Sequence, residues 1–289
     1  MESLPLDVAE PRGFASDNFA GVHPRVMERL LECNRGHARA YGDDAVTART
    51  RAAFSRLFGR EVTTHLVFNG TAANNLALMA FGRSHGAVVC SDVAHLYNDE
   101  STAPERFLGM RLLPVVSQQG KITPSALLSV LGHGHGVHGV QPVALTLTQP
   151  TELGTVYSLE ELRDVIALAH DRGLGVHLDG ARLGCAAASL GVSIREMVVE
   201  TGVDALSFGG TKQGMLCGEA VVFLHRSPRT GGTASRARLR SAFAARGRLH
   251  RLVAKARASG EWRWRLGRPC GSSLESAPQP AQAGRAGPP

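Results

Sequence analysis

Between residues 63 and 224, short apolar runs alternate with amphipathic stretches, and no other feature constrains the fold as much. Runs at 64–68, 87–90, 111–116, 143–147, 175–178, 205–208 and 219–224 read as strands. Helical patterns at 71–81, 123–131 and 159–170 lie between them. The last has its own punctuation, with Ser158 as N-cap, Glu160 and Glu161 in the first turn, and Gly173 after the end. Strand and helix in alternation imply an α/β fold, with a mostly parallel sheet covered by helices on both faces. Upstream, residues 1–24 read as an irregular arm. Helices are expected over 24–33, where Pro24 suits a first turn, and over 46–58, which Gly59 closes.

Sheets of this kind bind ligands at the C-terminal ends of their strands. Chemically suggestive residues fall there repeatedly, and each also has a plain structural reading. After the strand ending at Phe208 comes Gly209-Gly210-Thr211-Lys212, a small-residue turn carrying one lysine. Such an unshielded amine can lose its proton and attack a carbonyl to form a Schiff base, or it can be a surface lysine. Asp179 ends the strand Val176-His177-Leu178. It can face a pyridinium nitrogen or cap the segment that begins at Ala181. Arg182 can hold an anionic oxygen or stand as a solvated charge. Asn69-Gly70-Thr71 links a strand to a helix, which suits either an anion site or an ordinary cap. His95, after the strand at 87–90, can stack on a planar ligand and move a proton, or sit in a surface loop. A Schiff-base lysine with an aspartate for a ring nitrogen is the pairing that pyridoxal 5'-phosphate requires.

Charge and cysteine usage bound the remaining classes. Residues 226–289 hold 14 Lys+Arg against 2 Asp+Glu, leaving 18 basic and 23 acidic residues in the rest of the chain. The net charge of +7 therefore belongs to the tail, and the body is mildly acidic. The five cysteines are scattered without a C-x-x-C pair, as expected of free thiols in a cytoplasmic protein. The first residues lack a basic start and an apolar stretch, and no run is long enough to span a membrane. The run Gly132-His133-Gly134-His135-Gly136-Val137-His138 has no supporting Cys or carboxylate and reads as a loop, with no metal site expected.

Together, Ser16-Asp17-Asn18, Tyr41-Gly42-Asp43-Asp44, Asn69-Gly70-Thr71-Ala72-Ala73-Asn74, His95, Gly154-Thr155-Val156-Tyr157, His177-Leu178-Asp179-Gly180-Ala181-Arg182 and Gly209-Gly210-Thr211-Lys212 resemble the low-specificity L-threonine aldolases. These belong to the aromatic amino acid β-eliminating lyase/threonine aldolase family of fold-type I pyridoxal phosphate enzymes. The resemblance covers residues 14–225 in order. It implies that Lys212 forms the Schiff base, Asp179 pairs with the pyridinium nitrogen, and Gly70 and Thr71 hold the phosphate. It further implies that His95 stacks on the ring and takes part in proton transfer. Arg182 would lie near the phenolic oxygen and the substrate carboxylate, with Ser16 assisting at the carboxylate. The implied reaction cleaves L-threonine or L-allo-threonine to glycine and acetaldehyde, in a homotetramer or dimer with shared active sites.

After residue 227 the family pattern stops, and the small C-terminal domain of such enzymes is expected to be incomplete or replaced. The expected division is an arm at 1–24, a cofactor-binding domain at 25–225 and a basic tail at 226–289 with disorder-prone composition from 267. Residues 239–258 have the pattern of a basic helix. Two origins fit the tail: an out-of-frame terminus, or a basic segment that attracts nucleic acid or another anionic surface. The alternative functions are a weakly active or inactive relative with a basic interaction tail, and a lyase acting on another β-hydroxy amino acid.

Overall fold

A computed structural model of the chain describes residues 16–82, 85–131 and 138–224. These all belong to one compact unit. The expected helix at 239–258, the rest of the basic tail and most of the histidine-rich run lie outside the described residues.

Among the described residues, seven strands form one sheet: β1 (Thr63–Val67), β2 (Gly86–Ser91), β3 (Arg111–Val115), β4 (Gln141–Thr148), β5 (Gly175–Gly180), β6 (Ala205–Gly209) and β7 (Glu219–Phe223). Their order is β1-β7-β6-β5-β4-β2-β3. The pairs from β3 through β6 are parallel, and β7 runs antiparallel to both of its neighbours. Six strands therefore point one way, as the alternating sequence predicts.

Each expected helix forms: α1 (Pro24–Cys33), α2 (Ala45–Leu57), α3 (Gly70–Met79), α6 (Pro124–Leu131) and α7 (Leu159–Asp171). Four short helices lie between strands: α4 (His95–Asn98), α5 (Ala103–Leu108), α8 (Leu183–Leu190) and α9 (Ile194–Val198). They escape a periodicity reading because one or two turns hold too few residues to establish a period of 3.6. The cap expected for α7 is realised as a reciprocal box between Ser158 and Glu161.

Alternation along the strands divides the core into two layers. Val88, Cys90, Val221 and Phe223 pack with Ala73, Ala77 and Leu78 of α3. Val89, Val176, Leu178, Leu206 and Val222 pack with Leu162, Val165 and Ile166 of α7. Strand β5 is buried along its whole length. By the same alternation, His177 and Asp179 lie on the α3 face. Among the described residues, no helix is long and apolar enough to cross a membrane.

Candidate active site

A cavity of about 410 Å³ opens at the C-terminal edge of the sheet on the α3 side. Gly70, Thr71, His95, Asp179, Arg182 and Lys212 all line it. Of the residues given a cofactor or substrate role from sequence, Ser16 alone is not in that wall. Its hydroxyl accepts from the Asn18 amide and caps a 3-10 turn, Asp17–Phe19, and Asn18 reaches the cavity instead.

The backbone explains the convergence. Asp179 is opposite Ser207 in the β5–β6 register, so the Lys212 turn begins beside the Asp179 strand end. A Cβ on Gly209 would lie 2.3 Å from the Ala181 carbonyl oxygen, so only glycine permits this approach. The turn is braced by two side chains, Glu219 of β7 and its own Gln213. Gly210 N and Thr211 N donate to the Glu219 carboxylate at 2.9 and 3.4 Å. Gln213 Nε2 donates to the Gly209 carbonyl at 2.7 Å, and its Oε1 accepts from Gly184 N at 3.0 Å.

Asn69 is the N-cap of α3, its side chain accepting from Ala72 N at 2.9 Å. The anion-site and cap readings of this turn are therefore compatible. Helix geometry leaves the amides of Gly70 and Thr71 without an intrahelical acceptor, at the positive end of a ten-residue helix. Asp179 does not cap α8, whose N-cap position is Arg182. Instead its Oδ1 accepts from Ala181 N, and its Oδ2 accepts from Asn74 Nδ2, both at 2.9 Å. Those bonds hold a largely buried carboxylate against the cavity.

Arg182 has a partner that the sequence reading did not foresee. Its Nε and Nη2 both donate to the Asp17 carboxylate, the second at 3.0 Å. Burial opposes the charged form of Asp17, but the Arg182 hydrogen bonds and charge outweigh it and hold that carboxyl below its ordinary range. The arm thereby fixes one edge of the guanidinium.

His95 meets the carboxylate of Glu100, with Nδ1 3.2 Å from Oε1. This contact raises the imidazole above its ordinary value, against the opposing effect of burial. The His95 amide donates to Glu152 Oε1 at 2.8 Å, and so does the Thr148 hydroxyl at 2.9 Å. Glu152 lines the cavity, and its Oε2 is buried with no partner among the described residues. Beneath the site, His177 joins Thr146 on β4 to Ser207 on β6 at 2.8 and 2.9 Å, and Ser207 also lines the cavity. Burial pushes His177 down to about 4, so it is neutral.

Sequence reasoning missed Asn74, Glu100, Glu152 and Glu219. The first belongs to the quoted Asn69–Asn74 motif but had no partner in view. The others belong to no motif: Glu100 and Glu152 are tied to the site by contacts across 26 and 57 positions, and Glu219 reaches the Lys212 turn from the neighbouring strand β7.

The donor set fits pyridoxal phosphate: an amine, a fixed carboxylate and unpaired amides at a helix start surround one cavity. A Cβ at Gly70 would meet nothing within 4 Å, so the helix start is open to a phosphate. Among the described residues, no group of three or more His, Cys, Asp or Glu is placed to hold a metal ion.

A family model described as beta-eliminating lyase matches residues 13–286. The low specificity L-threonine aldolase of Pseudomonas aeruginosa is 46% identical over 214 residues, covering 74% of this chain and 62% of that protein. Its counterpart in Saccharomyces cerevisiae is 31% identical over 203 residues, covering 68% of this chain and 51% of that protein. The chain thus spans between half and two thirds of the length of these curated relatives. Among solved structures, the threonine aldolase of Leishmania major superposes with a TM-score of 0.73 at 26% identity, covering 81% of this chain and 67% of that one.

Proposed function

The chain belongs to the beta-eliminating lyase family, and on that premise we propose that it is a pyridoxal phosphate-dependent aldehyde-lyase. The reaction is retro-aldol cleavage of L-threonine or L-allo-threonine to glycine and acetaldehyde. The observation that carries this reading is the convergence of Lys212, Asp179, His95 and the α3 N-terminus on one cavity. The likeness to L-threonine aldolases supports the substrate class.

Pyridoxal phosphate, when bound, supplies the conjugated sink for the electron pair left on Cα as the Cα–Cβ bond breaks. Lys212 would be the amine that holds it, Asp179 would serve its ring nitrogen, and the Gly70 and Thr71 amides would take its phosphate. Arg182 offers its guanidinium to the substrate carboxylate, with Asp17 restricting its rotation. Cleavage requires the β-hydroxyl to lose its proton as Cβ leaves in the aldehyde. With Glu100 favouring imidazolium, His95 is a donor, and its Nε2 is the nitrogen left for a ligand. Glu152 is the acceptor in the same wall. Return of one proton to Cα gives glycine, and the balance closes without an oxidant.

We assign cofactor binding to residues 25–225 and place the protein in the cytoplasm as a homo-oligomer. Phe19, Phe68 and Leu153 support the oligomer. Each is well exposed and one residue from the cavity wall, so a second copy would bury apolar surface there. The four described cysteines are unpaired, which fits a reducing compartment.

The test uses the full chain purified with pyridoxal phosphate and freed of excess. The expected result is a visible absorption band that Lys212→Ala abolishes, with glycine and acetaldehyde formed in equal amounts from L-threonine. We expect that variant to lose at least about 1,000-fold in turnover. A folded protein that retains no cofactor and leaves threonine intact would overturn the reading.

A further inference from the structure

Glu100 follows α4, and its side chain is wholly buried. Three nitrogens converge on it. Oε1 accepts from Asn74 Nδ2 at 2.9 Å and lies 3.2 Å from His95 Nδ1. Oε2 accepts from Asn75 Nδ2 at 3.3 Å. The two asparagines are consecutive on α3, the helix whose start opens into the cavity. Asn74 Nδ2 places its second hydrogen on Asp179 Oδ2, also at 2.9 Å. One carboxylate and one amide thus connect the two side chains expected to touch the cofactor ring.

The amide orientation follows from charge. Reversed, Asn74 would set its carbonyl oxygen between two carboxylates, with no hydrogen to offer either. As it stands, Asn74 Oδ1 is buried and has no partner among the described residues. An orphaned carbonyl is unusual in a native interior. Here it accompanies an amide that delivers both hydrogens to acids.

We propose that Glu100 is the positioning residue of this site, binding His95 on one side and Asn74 on the other so that imidazole and Asp179 are held together against the cavity. The inference deepens the aldolase reading and rests on it for the identity of the ring. The bonds themselves do not depend on it. The charged groups around His95 are Glu100 behind α4, Asp179 on β5, Lys212 beyond β6, Glu152 at its amide, and Asp99 in the cavity wall. Glu100 is the one in contact with the ring. A buried carboxylate needs a charged or hydrogen-bonded partner, so the pair favours imidazolium over imidazole.

The experiment is a nuclear magnetic resonance titration of the full chain with labelled histidine, the His95 signal being assigned by its loss in His95→Gln. The wild-type midpoint is expected above the ordinary 6.5. Glu100→Gln should lower it by about one pH unit or more. The same variant should raise the dissociation constant for pyridoxal phosphate, read from visible absorbance, by roughly tenfold, as the Asp179 tether slackens. Asn74→Ala should weaken cofactor binding similarly while leaving the His95 midpoint high. An unchanged midpoint in folded Glu100→Gln overturns the proposal, as does unchanged cofactor affinity in Asn74→Ala. Should Glu100→Gln not fold, a wild-type midpoint at or below 6.5 overturns it and a higher one supports it. The titration needs neither cofactor nor threonine, so its outcome stands apart from the aldolase reading. An active aldolase whose His95 ignores Glu100 would refute this inference alone.

Discussion

Lowering the pH should destabilise this protein through His177 by an amount the structure allows to be worked out. His177 is fully buried, bridges hydroxyls on β4 and β6, and sits near 4 rather than 6.5 because burial opposes its charge. The unfolded chain takes up a proton near 6.5 that the native state refuses until about 4. The unfolded state therefore binds more protons across that window, and stability rises with pH there. Above the window His177 imposes no penalty. Descending through it, the loss grows and levels off below the native value. The gap between the two values corresponds to roughly 3 kcal/mol in all, of which about 2 kcal/mol is lost by pH 5. The assay is urea unfolding of the full chain at pH 7.5 and pH 5.0, for wild type and His177→Gln. Glutamine keeps a hydrogen-bonding side chain but does not titrate. Its own destabilisation is common to both pH values and cancels, as do the contributions of the acids and of His95. Wild type should lose about 2 kcal/mol more than the variant, a midpoint difference of roughly 1 M urea. Equal losses would refute the claim that this histidine is held neutral by burial.

Other expectations follow from single contacts. Gly209→Ala would drive a methyl group to 2.3 Å from the Ala181 carbonyl oxygen, and should destabilise by roughly 1–3 kcal/mol in urea while weakening cofactor retention. Unchanged stability would mean that the approach of β5 and β6 is not constrained there. Asp17→Asn removes the charged partner of Arg182. The KM for L-threonine should rise severalfold, on the order of 3–10-fold, with kcat less affected, because guanidinium orientation and not the chemical step is disturbed. An effect confined to kcat would contradict the role given to Arg182.

Backbone-driven features were legible in the sequence, and partner-driven ones were not. The strand–helix alternation, the Gly-Gly-Thr-Lys turn and the Gly-Thr helix start announce themselves because each needs particular residues at adjacent positions. Asn74, Glu100 and Asp17 do not. Asn74 meets Glu100 across 26 positions and Asp179 across 105, and Arg182 meets Asp17 across 165. Nothing local marks a buried acid as satisfied or an arginine as already paired. The short helices α4, α5 and α9 were lost for a related reason. They are held by what they pack against rather than by an apolar period of their own.

The apolar pattern nevertheless encodes more of the chemistry than its blandness suggests. On β5, Val176 and Leu178 pack toward the α7 layer, which leaves His177 and Asp179 on the opposite face. On β6, Leu206 faces the same core and Ser207 the cavity. A slip of one residue in either strand would exchange the two sets. The acid would turn into the hydrophobic layer and the leucines into the cavity. Burial of those leucines makes the correct register the stable one, and that register sets Asp179 opposite Ser207, at the start of the Lys212 turn. The selection that positions the reactive groups is therefore hydrophobic, and the polar network of Asn74 and Glu100 trims an arrangement that the core has already imposed.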